Sequence, residues 1–270
     1  MKKFLLMFCA AILMITTSAC TKNEYTITID KNNSVTIDEV AAINLDGFIS
    51  LAGSMGDDNM VSEIKNELES QMEETAAELK GNGYTVTKYD KDGYFGIAKN
   101  ITYDNFETTK LPDGFTYKGD SFINVSNSLY KKNYKIDLVF NPKLYAESAS
   151  NSSNQINTRK LNSMAATEPL PLMDSEVSDS NQRLAENLGI KPIFSLTIKL
   201  PAKAKNTNAT TKNDSECVYT WQLDLERETR ISIEYEQINT SNIIILFLAF
   251  FLLIGVAIYL HNKSEVPLGF

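Results

Sequence analysis

The chain has almost no histidine and very little cysteine. Its one histidine, His261, stands near the C-terminus, beyond the last long apolar run. The preceding body therefore cannot build a Ser-His-Asp or Cys-His arrangement, and a zinc site there would have to do without imidazole. G-x-S-x-G, P-loop and dinucleotide-binding patterns are also missing. Carboxylate-only catalysis remains open. Of three cysteines, Cys9 and Cys20 lie at the N-terminus and only Cys217 in the body, so no internal disulfide can form unless Cys20 takes part. Cys217, within CVYTWQL, is expected to be a small buried side chain rather than a nucleophile. No catalytic, cofactor-binding or metal-ligating residue is assigned, and no cofactor is expected.

Two apolar segments stand out. Residues 1–19 have the form of a secretion signal: Lys2 and Lys3, twelve apolar residues from Phe4 to Ile15, then small Thr17, Ser18 and Ala19. That run is too short to span a bilayer, which needs roughly 20 helical residues. Ile243 to Leu260 is eighteen residues without a charge. At about 1.5 Å per residue it reaches roughly 27 Å, enough for a transmembrane helix. A signal followed by a late stop places residues 20–242 outside the cytoplasm and residues 261–270 inside as a short tail. Removing Lys2, Lys3 and Lys263 from 26 basic residues and Glu265 from 34 acidic ones leaves 23 against 33, so the outer part carries a net charge of -10. That balance speaks against nucleic acid and against electrostatic adhesion to anionic lipid.

Between those segments the pattern is α+β. YTITID (25–30) and SVTIDEVAAI (34–43) form a hairpin; Val61, Ile64, Leu68, Met72, Ala76 and Leu79 define one long amphipathic helix from Asp57 to Lys80. YTVTKYD and YFGIAKNITY (84–90 and 94–103) form a second hairpin, with further strands near 121–125, 133–140, 193–200, 217–225 and 230–236. The expected fold is an antiparallel β-sheet covered by the long helix, which either lies on a solid core or roofs a ligand cavity. The polar KAKNTNATTKND reads as a connection. Residues 145–189, rich in Ser and Asn, are expected to be a flexible insertion with a short helix at 180–188 and a stiff step at Pro169-Leu170-Pro171. YDKDGYFG invites comparison with a calcium loop, but aligning Asp90 and Asp92 to its acidic positions puts Lys88 and Lys99 where two further anionic ligands are needed. A hairpin turn explains it better.

Taken in order, the stretch ending Ala19-Cys20, the early hairpin and long helix, YDKDGYFGIAKNITYDNF (89–106), LTIKLPAKAKNTNAT (196–210), YTWQLDL (219–225) and the terminal apolar helix resemble the LppM family of bacterial lipoprotein domains. The resemblance implies an extracytoplasmic α+β domain at the cell envelope with no established catalytic residues, and lipidation at Cys20. Pro201, Asn208 and Trp221 fall in its recurrent stretches without an assigned role, and Trp221 is expected to anchor the core. Thr17 stands where lipoprotein signals usually have Leu, and ordinary cleavage after Ala19 would instead leave Cys20 free. A lipidated Cys20 and residues 243–260 would bring the ends of the first and last strands together at the membrane. The function expected is a non-enzymatic envelope module that binds a ligand or partner, with a lipid or other amphiphile in an apolar cavity as the favoured small ligand. The alternatives are a carboxylate-dependent enzyme on cell-wall glycan and an accessory subunit that finds a membrane-protein partner through its helix.

Overall fold

The computed structural model describes residues 21–45, 58–119, 121–148 and 193–264. The expected signal, Cys20, the remainder of the expected insertion (149–189) with its prolines and short helix, and residues 265–270 lie outside the described residues. The described residues hold twelve strands: β1 Thr21–Ile29, β2 Val35–Asn44, β3 Thr85–Lys91, β4 Tyr94–Tyr103, β5 Phe115–Tyr117, β6 Ile123–Asn127, β7 Lys131–Phe140, β8 Ile193–Lys199, β9 Ala204–Thr207, β10 Thr211–Asn213, β11 Val218–Gln222 and β12 Thr229–Ile238. The long helix runs Asp58–Gly81 and the C-terminal helix Thr240–Ser264. A short helix at 142–148 occupies the start of the expected insertion, where the Asn141 side chain accepts from the amides of Lys143 and Leu144 and Pro142 opens the first turn.

The strands form two sheets, not one. The first has seven strands in the order β10-β11-β8-β1-β2-β4-β3; the second has β5-β7-β12-β9, with β6 also paired to β7. The fold is α+β, but the sheet is larger than expected and mixed, because β1 and β8 run parallel. The expected helical cover is replaced by the second sheet, whose aromatic side chains meet the inner face of the first. Tyr25 of the first sheet packs edge-on against Phe115 of the second at 5.3 Å, Tyr145 of the short helix packs against Phe194 of the first at 5.4 Å, and Tyr134 and Tyr235, paired within the second sheet, stack at 4.7 Å. Ile27, Leu196, Ile198, Tyr219, Ile136 and Ile233 between them are wholly buried. Each such side chain contributes about 1.5–3 kcal/mol through burial, so the sandwich is the source of stability. Trp221, 2% exposed, is a core anchor as expected.

Among the described residues, the long helix leans mainly on β3 and β4 at one edge. Leu68, Met72, Ala76 and Leu79 are half-buried there, and Glu69 pairs with Lys88 at 3.0 Å. Glycines near its end and the turn at Gly83 stop it as the sequence indicates. The second hairpin turns at Asp92 and Gly93, both with positive φ, which is the two-residue tip its sequence predicts and not a cation loop.

The direction of the strands corrects one expectation. Tyr25 and Phe115 place the start of β1 level with Phe140, while the Tyr134 hydroxyl reaches Asn33, in the β1–β2 turn, at 3.3 Å. Phe140 pairs with Thr229 and Lys131 with Ile238, so β12 runs the same way as β1. Thr21 therefore lies at one end of the sandwich and Ile238 at the other. Counting strand steps of about 3.3 Å, they are roughly 40 Å apart.

Candidate functional site

Three features are built by this fold: a junction with the C-terminal helix, an ion pair at the core edge, and an open sheet face. The junction turns on Asn239, 4% exposed. Its amide donates to the Tyr130 carbonyl at 2.9 Å and its side-chain amide to the Ser128 carbonyl at 3.3 Å, tying it to the β6–β7 tip. Its side-chain oxygen also accepts from the Asn242 amide at 3.4 Å, so Asn239 caps the helix that follows. Strand β12 thus passes into the helix with no linker. Residues Asn242–Leu260 have a mean hydropathy of 3.1, are long and apolar enough to cross a membrane, and are not buried by the body.

The ion pair is Glu39 with Lys99, 3.2 Å apart and mostly withdrawn from solvent. Strands β2 and β4 set them opposite each other on the inner face. Burial pushes the Glu39 carboxyl up, the Lys99 ammonium pulls it down, and the Asp113 charge adds to the rise. Burial, with the Glu39 charge as a smaller cause, pushes the Tyr25 hydroxyl up as well. The adjoining cleft between Ile37, Tyr84, Ile101 and Pro112 has about 40 Å³. It has room for water but not for a sugar ring.

The open face is the outer side of the seven-stranded sheet. One register row crosses all its strands: Thr211, Thr220, Thr197, Thr26, Asp38, Asn100 and Thr85. Thr197 and Thr220 share a hydrogen bond at 3.0 Å, as do Thr36 and Thr102 at 2.9 Å in the next row. Nearer the start of β1, Lys22 donates to the Tyr89 hydroxyl at 2.9 Å, meets Glu24 at 3.2 Å and lies over the Tyr94 ring. A shallow depression of about 300 Å³ opens between Asp38, Thr87, Tyr89 and Asn100. Among the described residues, no strand or helix is stacked over this face.

Of the residues singled out from sequence, Asn208 and Trp221 are brought together. The Trp221 indole donates to the Asn208 side-chain oxygen at 2.8 Å; that oxygen also accepts from the Ser232 amide, while the Asn208 side-chain amide donates to the Arg230 carbonyl. Asn208 thus ties the first sheet to the second; Pro201 stands half-buried in the bend after β8. Cys217 packs partly buried against the core, but it stands in the β10–β11 turn with φ of 56° and not in the strand expected for it. Cys20 is outside the described residues. Among the described residues, no group of three His, Cys, Asp or Glu side chains could hold a metal ion.

The class these features define is an α+β chain whose β-sandwich is joined directly to an apolar helix of membrane-spanning length. No family model and no curated protein matches the chain. Among solved structures, the NMR structure of the folded domain of the Mycobacterium tuberculosis LppM protein aligns over 83% of this chain and 94% of its own, with 14% identity and a TM-score of 0.35. A likeness at that level carries no argument about what this chain does.

Proposed function

We propose that this chain is an extracytoplasmic, membrane-anchored, non-enzymatic module that holds a partner at the membrane surface on the open face of its seven-stranded sheet. The observation that carries the proposal is the register row from Thr211 to Thr85, a polar surface of short side chains spanning seven strands with nothing described above it. Short hydroxyl and amide side chains lose little conformational freedom on contact, which suits a wide, flat interface. The apolar helix supplies the anchor. An N-terminal signal and lipidation of Cys20 belong to the same proposal, since export would put the sandwich outside.

The packing also weighs between versions of this reading. A lipid held inside the body needs an apolar cavity, and the space between the sheets is filled by Tyr25, Phe140, Trp221 and their neighbours. An external partner is therefore preferred. A photo-crosslinking residue at Thr26 or Thr197 in the full chain should give a discrete adduct in cells, whereas one at Glu73 on the exposed side of the long helix should not. Adducts at Glu73 alone would remove the open face from the proposal. Lipid extraction followed by mass spectrometry tests the interior-ligand version separately.

A further inference from the structure

The β6–β7 hairpin ends in Leu129 and Tyr130, 51% and 59% exposed. Ser128 closes this tip, its amide donating to the Lys131 carbonyl at 2.7 Å and its hydroxyl accepting from the Lys131 amide at 3.1 Å. Two large apolar side chains at the tip of a tight turn are costly in water, where Asn, Asp and Gly are the usual occupants. The same chain shows the contrast: its other tight hairpin carries Asp92-Gly93, at the far end of the sandwich. The turn at Asn32-Asn33 is also polar, and it sits beside Tyr134, about 10 Å back from the Leu129 tip.

What distinguishes the Leu129–Tyr130 tip is its place. Its Ser128 and Tyr130 carbonyls accept both nitrogen donors of Asn239, and the apolar span begins at Asn242, three residues on. Three helical residues rise only about 4.5 Å. Ile238, 70% exposed and opposite Lys131 in the register, adds a third apolar side chain to the same patch. Behind it stand Lys131 and Lys132, and Glu236, the last acid of β12, is held at 2.7 Å by Lys131 and at 2.9 Å by Lys205. This puts cations and a compensated acid at headgroup depth, with aliphatic and aromatic groups below them. A tyrosine at that depth keeps its hydroxyl wet and its ring in the acyl boundary.

We propose that Leu129, Tyr130 and Ile238 form a second membrane contact, dipping into the phospholipid interface beside the C-terminal helix and fixing the tilt of the sandwich on the bilayer. The occupant is the lipid interface, because the patch is continuous with the span and bonded to its cap. The proposal rests on the span being inserted. A protein partner covering the same patch is the competing outcome.

Tryptophan quenching in vesicles of phosphatidylcholine and phosphatidylglycerol carrying spin-labelled lipids separates these cases. The full chain keeps Trp221, buried in the core, as an unquenched reference. Tyr130→Trp should lose about half of its added emission to a shallow spin label and less to a deep one. Phe250→Trp, near the middle of the span, should show the reverse order and reports insertion by itself. Quenching of Phe250→Trp with Tyr130→Trp and Leu129→Trp both unquenched would overturn the interface contact while leaving the anchor standing, as expected if a protein covers the tip. No quenching in any variant would overturn both. Unchanged Trp221 emission certifies the fold of each variant.

Discussion

Asn208 joins the two sheets through a single side chain. One side-chain oxygen serves the Trp221 indole and the Ser232 amide, both at 2.8 Å, so truncation leaves a buried indole N–H without an acceptor. Asn208→Ala should destabilise the chain by about 1–3 kcal/mol, and Asn208→Asp by less, because the acceptor survives while the bond to the Arg230 carbonyl is lost. Denaturant unfolding followed by Trp221 fluorescence measures both. The Glu39–Lys99 pair makes a different demand. Lys99→Met would leave the Glu39 carboxylate withdrawn from water and uncompensated, a loss of about 3–5 kcal/mol near neutral pH. The sign with pH follows from the cause: burial already raises the Glu39 carboxyl above its ordinary range, and removal of the cation raises it further. A group whose folded pKa is raised favours the fold below that pKa and loses the contribution as pH rises through it. The Lys99→Met penalty should therefore shrink as the pH is lowered from neutral through that raised pKa, and Glu39→Gln in the Lys99→Met background should remove the dependence. A penalty of equal size at both ends of that range would show that Lys99 acts by packing alone.

At the scale of elements, strands β2 and β4 approach unusually closely at Gly96. A Cβ there would collide with the Ala41 carbonyl oxygen and reach the Ala42 Cα at 2.5 Å, both backbone atoms that cannot swing away. Gly96→Ala should cost about 1–3 kcal/mol and lower the thermal midpoint, whereas Gly81→Ala, with nothing near, should leave it unchanged. The chain announces much of this layer. Both early hairpins, the long helix within one residue at each end, and strands β7, β8, β11 and β12 are legible because β-branched alternation and a three-to-four apolar period are local signals. What stayed hidden was the second sheet as a cover. Strands β9 and β10 read Ala-Lys-Asn-Thr and Thr-Lys-Asn, too short and polar to declare themselves. Strand β10 pairs with its neighbour β11, but β9 is held by a strand more remote in sequence, as when Asn206 donates to Glu234 and Lys205 to Glu236. The amphipathic helix then looked like the natural cover for a lone sheet, although it serves only one edge. Asn239 was hidden for the same reason: capping can be read from Asn followed by an apolar run, but its two bonds to the β6–β7 tip span more than a hundred residues.

For the whole molecule, the decisive quantity is the separation of the two ends. Thr21 follows Cys20 directly and lies roughly 40 Å from Ile238 along the strands, so with the C-terminal helix inserted as proposed an upright sandwich would hold Cys20 well above the bilayer. A lipid on Cys20 can enter that same bilayer only if the sandwich lies down along it. The direct passage from β12 through Asn239 into the helix resists such a bend, because it would break the cap or its bonds to Ser128 and Tyr130. Posture therefore reports the state of Cys20. The turn at Asp92 and Gly93 is level with Thr21 through the pairings of Asn44 with Tyr94 and Ile43 with Thr21. A fluorophore at Asp92, measured against a membrane dye in proteoliposomes of the full chain, should stand roughly 40 Å above the surface when Cys20 is unmodified. With diacylglycerol on Cys20 it should fall to within about 20 Å, given sheets packed about 10 Å apart, and Cys20→Ala should restore the greater height. If a lipidated chain kept its full height, its acyl chains would not be in the bilayer that holds the helix, and the two anchors would serve different surfaces.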